Sequence, residues 1–528
     1  LLLLGAVVLL VKLIIDKGYK NENYFKEKGI KYLEPYFIVG NSGNIFTRKR
    51  TIYEVLNDAY SAFPNERIMG ALEFRSPLVF IRDPELAKQL AVKEFDHFSE
   101  RRQLFASEAE KTFSKSLFLL RGEEWKEMRS TLSPTFTGSK MRLMFELVSQ
   151  VTKEMVNFVN KETKEKGIQT YEMKDFCSRL TNDIIATCAF GFQVNSLEQQ
   201  ENEFYLKGKD ITNFFKLSRI IKIVLLMQFP KIFNALKMTI FPASSVGYFK
   251  NTIQYAMNYR EKNHIIRPDM IHLLMEAKKG KLSHQNTLEQ DSAGFATVEE
   301  SHVGKQQGKK DLTDEDIIAQ CFIFFFAGFD TTSTGLSFIC YELAANPEIQ
   351  ERLFEEIKEA DLELGEKTLN YDTLQKMKYL DMVVSEALRK WPPLPNVDRV
   401  CTKDFVLDDG KGFTYKFSKG DTFVVPMVSY QHDPQYYPDP LKFDPERFSD
   451  ENKHKIVPGT YLPFGIGPRN CIGSRFALME VKAIIYNILL NFRIEANEKT
   501  QIPLKLSTNS GMNAEKGIWV QLTPRSRI

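Results

Sequence analysis

The sequence predicts a mainly α-helical fold with small β-sheets (α+β), built as one large domain around a long central helix. Three observations carry this. Residues 313–345 read as one unbroken helix, apolar nearly all round through its first half, and such a helix must be buried on every side. Strand-like runs are short and confined to the region near the start and to the last quarter. The chain also carries 41 phenylalanines among 528 residues, with 43% hydrophobic residues, which calls for a large apolar, aromatic interior. A size of about 150 residues per domain would suggest three or four domains. A single helix ~50 Å long through the core favours one.

Charge and cysteine usage narrow the function. Lys+Arg 71 against Asp+Glu 68 leaves a net charge of +3, too balanced for a nucleic-acid-binding surface. The six cysteines (177, 188, 321, 340, 401 and 471) contain no C-x-x-C, so a zinc ribbon or a thioredoxin-like site has no support. Their sparseness also argues against a disulfide scaffold. No H-E-x-x-H, G-x-S-x-G, P-loop or G-x-G-x-x-G occurs, so the chain is not expected to bind a nicotinamide dinucleotide by itself.

The elements follow in order. An apolar run reaches Ile15, broken only by Lys12. It is shorter than the ~20 residues of a membrane span, and is expected to continue upstream of Leu1. No small-residue cleavage site follows, whereas Lys17, Lys20, Lys26, Lys28 and Lys31 do, which retains the downstream chain in the cytosol. The expected organisation is an N-terminal membrane anchor (1–15), a hinge (16–50) and a single catalytic domain (51–528). Leu78 to Ile81 reads as a compact strand, and Asp83-Pro84-Glu85 opens the helix behind it. Between Phe405 and Pro426, alternating apolar residues interrupted by Asp408 to Gly412 read as a hairpin. From Lys279 to Lys310 the composition turns polar and reads as a solvated loop.

Thr313 is placed to cap the central helix, with Asp314, Glu315 and Asp316 in the first turn where the helix dipole favours acids. Asn346-Pro347 ends it. The apolar stretch from Ile317 to Phe329 stops at Asp330-Thr331-Thr332-Ser333, too soon for a membrane span. Near the carboxyl end, Pro463 to Gly473 surrounds Cys471 with glycines, sets Arg469 two residues before it and leads into an apolar helix. Backbone N–H groups, the helix dipole and the cation all favour thiolate.

The pattern F-x-x-G-x-R-x-C-x-G, filled by Phe464, Gly467, Arg469, Cys471 and Gly473, resembles the haem-binding loop of the cytochromes P-450. Ala327 to Thr332 is similar to that family's oxygen-activating stretch, and Glu386-Ala387-Leu388-Arg389 to its E-x-x-R helix. Pro445-Glu446-Arg447-Phe448 is similar to its meander, and Trp125 with Arg129 to its W-x-x-x-R. Trp125 to Phe136 is similar to drug- and toxin-metabolising microsomal members, and Gly294 to Ser301 to an insect branch of that clan. At the hinge, Glu34-Pro35-Tyr36 departs from the Pro-Pro-Gly-Pro type stretch of many microsomal members.

The resemblance implies a haem b whose iron is bound by the Cys471 thiolate, with Trp125, Arg129, Arg399 and Arg469 at its propionates and Arg101 placed in the same role. Phe464 and Gly473 belong to the cofactor loop. Glu386, Arg389 and Arg447 would form a buried structural triad. Asp330 and Thr331 would deliver protons during oxygen activation; read without the family, the threonine is a hydroxyl bonding back to the preceding turn. A thiolate ligand favours O–O cleavage over reversible oxygen carriage. The implied activity is monooxygenation of lipophilic small molecules, with substrate contacts from Phe322, Phe326, Ala327, the loop from Arg101 to Phe118, Phe214-Phe215, Leu394 to Val397 and Ser510 to Met512. Electrons would come from a membrane NADPH–cytochrome reductase, with cytochrome b5 as an optional second donor, and Lys126, Arg475 and Lys482 are candidate docking charges. The implied location is the cytosolic face of the endoplasmic reticulum membrane. Two rival functions are a haem-thiolate isomerase or dehydratase working without O2, which Asp330-Thr331 disfavours, and a non-catalytic haem sensor, which needs neither a proton relay nor a Phe-rich pocket.

Overall fold

The computed structural model describes residues 12, 15, 18–103, 109–280, 294–305, 310–410, 412–509 and 511–525. The expected anchor, apart from Lys12 and Ile15, lies outside the described residues, as does Ser510. Five helices frame the interior: α1 (Gly122–Leu132), α2 (Met173–Ile185), α3 (Asp314–Ala345), α4 (Lys378–Lys390) and α5 (Ser474–Asn491).

The central helix α3 runs 32 residues. Its cap is reciprocal: Asp316 N–H donates to the Thr313 hydroxyl at 3.2 Å, and Thr313 N–H donates to the Asp316 carboxylate at 3.0 Å. Its phenylalanines divide by helical spacing. Phe322 and Phe326 pack against Phe113 and Phe241. Phe325 turns to the other side, among Phe190, Phe204 and Phe249. At Gly328 a Cβ would stand 2.9 Å from the Ile185 side chain, so glycine there lets α3 lie close on α2. By length and hydropathy α3 passes for a membrane span, yet 67% of its most apolar window is buried within the protein. Aromatic packing on both sides makes it a core helix.

The strands form three small sheets. β1 (Ile68–Glu73), β2 (Ser76–Ile81), β4 (Val397–Val400) and β7 (Thr422–Val425) make a four-stranded sheet in the order β1-β2-β7-β4, parallel only between β2 and β7. β5 (Phe405–Asp408) and β6 (Thr414–Phe417) form the predicted hairpin. The run after it, all four residues of β7 buried, leaves the hairpin to pair with β2 through Leu78↔Thr422. β3 (Thr170–Glu172), β8 (Phe492–Glu495) and β9 (Trp519–Pro524) complete the third sheet, order β3-β9-β8. Behind β2, the Asp83 carboxylate accepts from Glu85 N–H at 2.8 Å and starts the expected helix, Pro84–Lys88.

On α4, Glu386 and Arg389 are both fully buried and pair at 2.7 Å, with Arg447 Nε 3.5 Å from the same carboxylate. Arg389 also donates to the Gln431 and Pro440 carbonyls. The expected triad is therefore a knot tying α4 to the segment before the cysteine loop. One expectation is corrected. Of the polar stretch read as a solvated loop, residues 294–305 are packed onto the protein, with Ala296 and Val303 buried at 3% and 2% exposure. Short apolar residues spaced among charged ones gave no periodicity to reveal it.

Candidate functional site

Cys471 stands on the turn leading into α5. Its N–H donates to the Phe464 carbonyl at 2.9 Å, and the Asn470 N–H donates to the Gly467 carbonyl at 2.9 Å. Gly467 permits this turn for two reasons: its φ is +73°, and a Cβ would lie 2.1 Å from the Ala91 carbonyl oxygen. Gly473 has an ordinary φ of −92° and room for a Cβ. Its contribution is its N–H, which favours the thiolate.

Among the six cysteines only Cys471 is exposed, although Arg469 and Asn470 before it are buried. Crowding by protein nevertheless pushes its thiol pKa up, opposed by the Gly473 N–H and by the guanidiniums of Arg129 and Arg101. The sulfur is thus accessible at its tip while protein crowds it. The same signature marks α3, where Ala327 and Asp330 are exposed in the middle of an otherwise buried helix. A separate open cleft of about 570 Å³, lined by Asn157, Lys161, Lys164 and Arg525 among others, shares no residue with this group.

Asp330 and Thr331 are neighbours with different partners. Thr331 donates its hydroxyl to the Ala327 carbonyl at 2.6 Å, which leaves the oxygen free to accept. Asp330 Oδ1 accepts from Lys174 Nζ at 2.8 Å. The same ammonium lies 2.7 Å from Ser333 Oγ and 2.8 Å from Thr334 Oγ1.

Around the cysteine loop the cations converge. Arg469 packs its guanidinium over the buried Trp125 ring at 4.0 Å and, among the described residues, donates only to the carbonyls of Ser99, Leu117 and Leu120. Arg399 donates to the carbonyls of Asp398 and Ile466, and its Nε has no partner. Arg101 donates to the Arg469 carbonyl at 2.6 Å, and its Nε is likewise unpartnered. Burial, then repulsion from Arg101, lowers Arg399 to about 9, and burial with the repulsion of Arg101 and Arg399 drives Arg469 far down. Arg129 differs. It holds a carboxylate already, that of Glu300 at 2.8 Å, and donates to the carbonyl and the side-chain oxygen of Asn470, each at 2.9 Å.

The chain matches the family described as cytochrome P-450 over residues 31–522. It belongs to that family. It is 43% identical to the probable cytochrome P-450 9f2 of Drosophila melanogaster over 96% of each chain. With cytochrome P-450 9e2 of Blattella germanica it shares 42% identity over 99% of its own length and 97% of the relative's, and with cytochrome P-450 6k1 of the same insect 35% over 93% and 91%. The chain is thus an insect-type P-450, an oxidoreductase of the monooxygenase class whose cofactor is a haem with an axial cysteine thiolate.

The residues fit that cofactor. Among the described residues, buried Arg399 and Arg469 donate only to carbonyls and form no ion pair; a buried guanidinium calls for a paired anion, and the carboxylates of a P-450 haem are of the right charge. The exposed sulfur on the turn into α5 fits an iron ligand. Reading the sequence placed these groups but missed three others. Lys174 carries no motif, and Glu300 lies in the Gly294 to Ser301 stretch, whose resemblance assigned it no role. Asn470 lies inside the P-450 loop pattern at a position the pattern leaves free. One docking candidate is withdrawn: Lys482 is fully buried and paired with Asp381 at 2.9 Å, so it offers no surface charge. Lys126 is partly exposed but engaged with Glu123 at 2.8 Å.

Proposed function

We propose that this P-450 inserts one atom of O2 into lipophilic small molecules, using electrons relayed from NADPH by a separate membrane reductase, with cytochrome b5 as an optional second donor. In this reading residues 1–15 anchor the chain on the cytosolic face of the endoplasmic reticulum, 16–50 form a hinge and 51–528 form the catalytic domain. The observation that carries the substrate class is the aromatic box of Phe113, Phe214, Phe241, Phe322 and Phe326, with ring centroids 4.8 to 6.3 Å apart, beside exposed Ala327 on α3. Such walls exclude water and select for apolar surface.

Bound haem supplies the redox and oxygen chemistry. The chain supplies the rest. Cys471, as thiolate, would hold the iron from the loop Phe464 to Gly473. Arg399 and Arg469, with Arg101, hold the propionates, and Trp125 stacks beneath Arg469. Arg129 has five N–H donors, four of them committed to Glu300 and Asn470, so one remains for a propionate. Asp330, steadied by Lys174, and the Thr331 hydroxyl would relay protons for that chemistry. The deciding experiment measures product from an apolar substrate with and without NADPH, O2 and added reductase. Product formed in the absence of any one of the three would sink the reading.

A further inference from the structure

Residues 294–305 lie as a strap over the elements that carry the cysteine loop. At one end Phe295 packs between Phe448 and Tyr461, with ring centroids 5.2 and 5.6 Å away, and its N–H donates to Asp381 at 2.8 Å. Further along, the Glu299 carbonyl accepts from Asn470 Nδ2 at 3.3 Å. Glu300 then closes on α1: its carboxylate takes Nε and Nη2 of Arg129 at 2.8 to 3.1 Å and the Ser133 hydroxyl at 3.0 Å. The Arg129 side chain is 3% exposed and that of Glu300 23%. A buried guanidinium so placed needs a countercharge, and the strap supplies it.

The route from Glu300 to the sulfur is short. Arg129 donates to both oxygens of Asn470, the residue before Cys471. Partners one bond removed from a metal ligand orient it and tune the metal. We propose that Glu300 is a positioning residue for the axial ligand: by neutralising Arg129 while holding it against Asn470, it keeps the Cys471 sulfur a strong electron donor. Without that carboxylate, an uncompensated cation would stand beside the anionic sulfur, stabilising the reduced iron relative to the oxidised iron. This rests on the haem-thiolate reading above.

The test is a spectroelectrochemical titration of the full-length holoprotein, comparing wild type with Glu300→Gln, Glu300→Ala, Glu300→Asp and Phe295→Ala. The Gln and Ala variants are expected to raise the ferric/ferrous midpoint potential, with the red-shifted Soret band of the ferrous carbon monoxide complex retained. Asp keeps the charge and should stay at the wild-type potential. Phe295→Ala loosens the strap without changing that charge, and should also leave the potential in place. Gln and Ala at the wild-type potential would reduce Glu300 to a staple and overturn the proposal. So would failure of both to fold, or an equal shift in Phe295→Ala. Absence of the red-shifted band in the wild type would instead indict the haem-thiolate reading itself.

Discussion

Lys174 at the start of α2 places its ammonium 2.8 Å from Asp330 Oδ1 on α3, and the same nitrogen spans the Asp330 carbonyl, Ser333 and Thr334. Asp330 therefore does not hang free; one cation fixes its rotamer. The side chains are 20% and 52% exposed, so solvent screens the pair and it adds at most about 1 kcal/mol to stability. In the proposed mechanism its effect would be on proton supply.

Lys174→Met should leave folding and haem content intact while lowering product formed per NADPH consumed. Lys174→Arg, which keeps a donor cation, should restore much of the loss. Coupling in the Met variant equal to wild type would leave the pair as surface decoration.

Cys471→Ser should abolish the red-shifted Soret band of the reduced carbon monoxide complex. The variant should still fold, because the turn is held by the Cys471 and Asn470 backbone N–H groups rather than by the sulfur. Retention of the band would transfer the ligand role to another residue.

Much of this site is legible in the sequence wherever a residue type is itself a physical requirement. Gly467 must lack a side chain and adopt a positive φ; Thr313 and Asp316 must satisfy each other's N–H groups; Glu386 and Arg389 at i,i+3 can meet on one face. Each is a local rule, and each is visible in a single line of residues. Lys174 and Glu300 are different. Their partners lie 156 and 171 positions away; nothing around Lys174 marks it out, and the resemblance of Gly294 to Ser301 says nothing of what Glu300 pairs with. The strand Thr422–Val425 failed for the same reason: its alternation fits a hairpin, and only its parallel partner β2 shows that it leaves one. The phenylalanines of α3 were legible as a group but not one by one, since adjacent Phe325 and Phe326 serve opposite sides of the helix.

On α5, nine residues past the cysteine, Glu480 is fully buried and neither carboxylate oxygen has a partner among the described residues. Burial raises its pKa well above the usual carboxylate range. In the unfolded chain it ionises near about 4.3. Below that pH both states hold the proton and nothing is lost. Above it the unfolded chain releases the proton while the folded one keeps it, so stability falls as pH rises, up to the folded pKa. Glu480→Gln removes the effect. Thermal melts of both proteins from pH 5 to 8 should diverge in favour of the variant, at no more than about 1.4 kcal/mol per pH unit. Parallel curves would show that Glu480 finds a partner or a water in solution.

Thr331→Ala separates catalysis from folding at one position. The hydroxyl's hydrogen bond goes to Ala327 O, one turn back on its own helix, and alanine is a better helix former than threonine. Losing that bond should change stability by about 1 kcal/mol or less. Haem binding should survive, since Cys471 and the arginines around it are untouched. What remains to be lost is the free lone pair of Thr331, positioned beside Asp330 to order a proton. Positioned acid–base groups contribute about 10²–10⁴ in rate, so proton delivery should slow while electron entry continues. NADPH consumption would then persist, hydrogen peroxide would rise and product per NADPH would fall. A paired assay of the three on wild type and variant decides the matter. Unchanged coupling would make Thr331 only a helix-bonding hydroxyl, and would shift the proton role onto Asp330 and water alone.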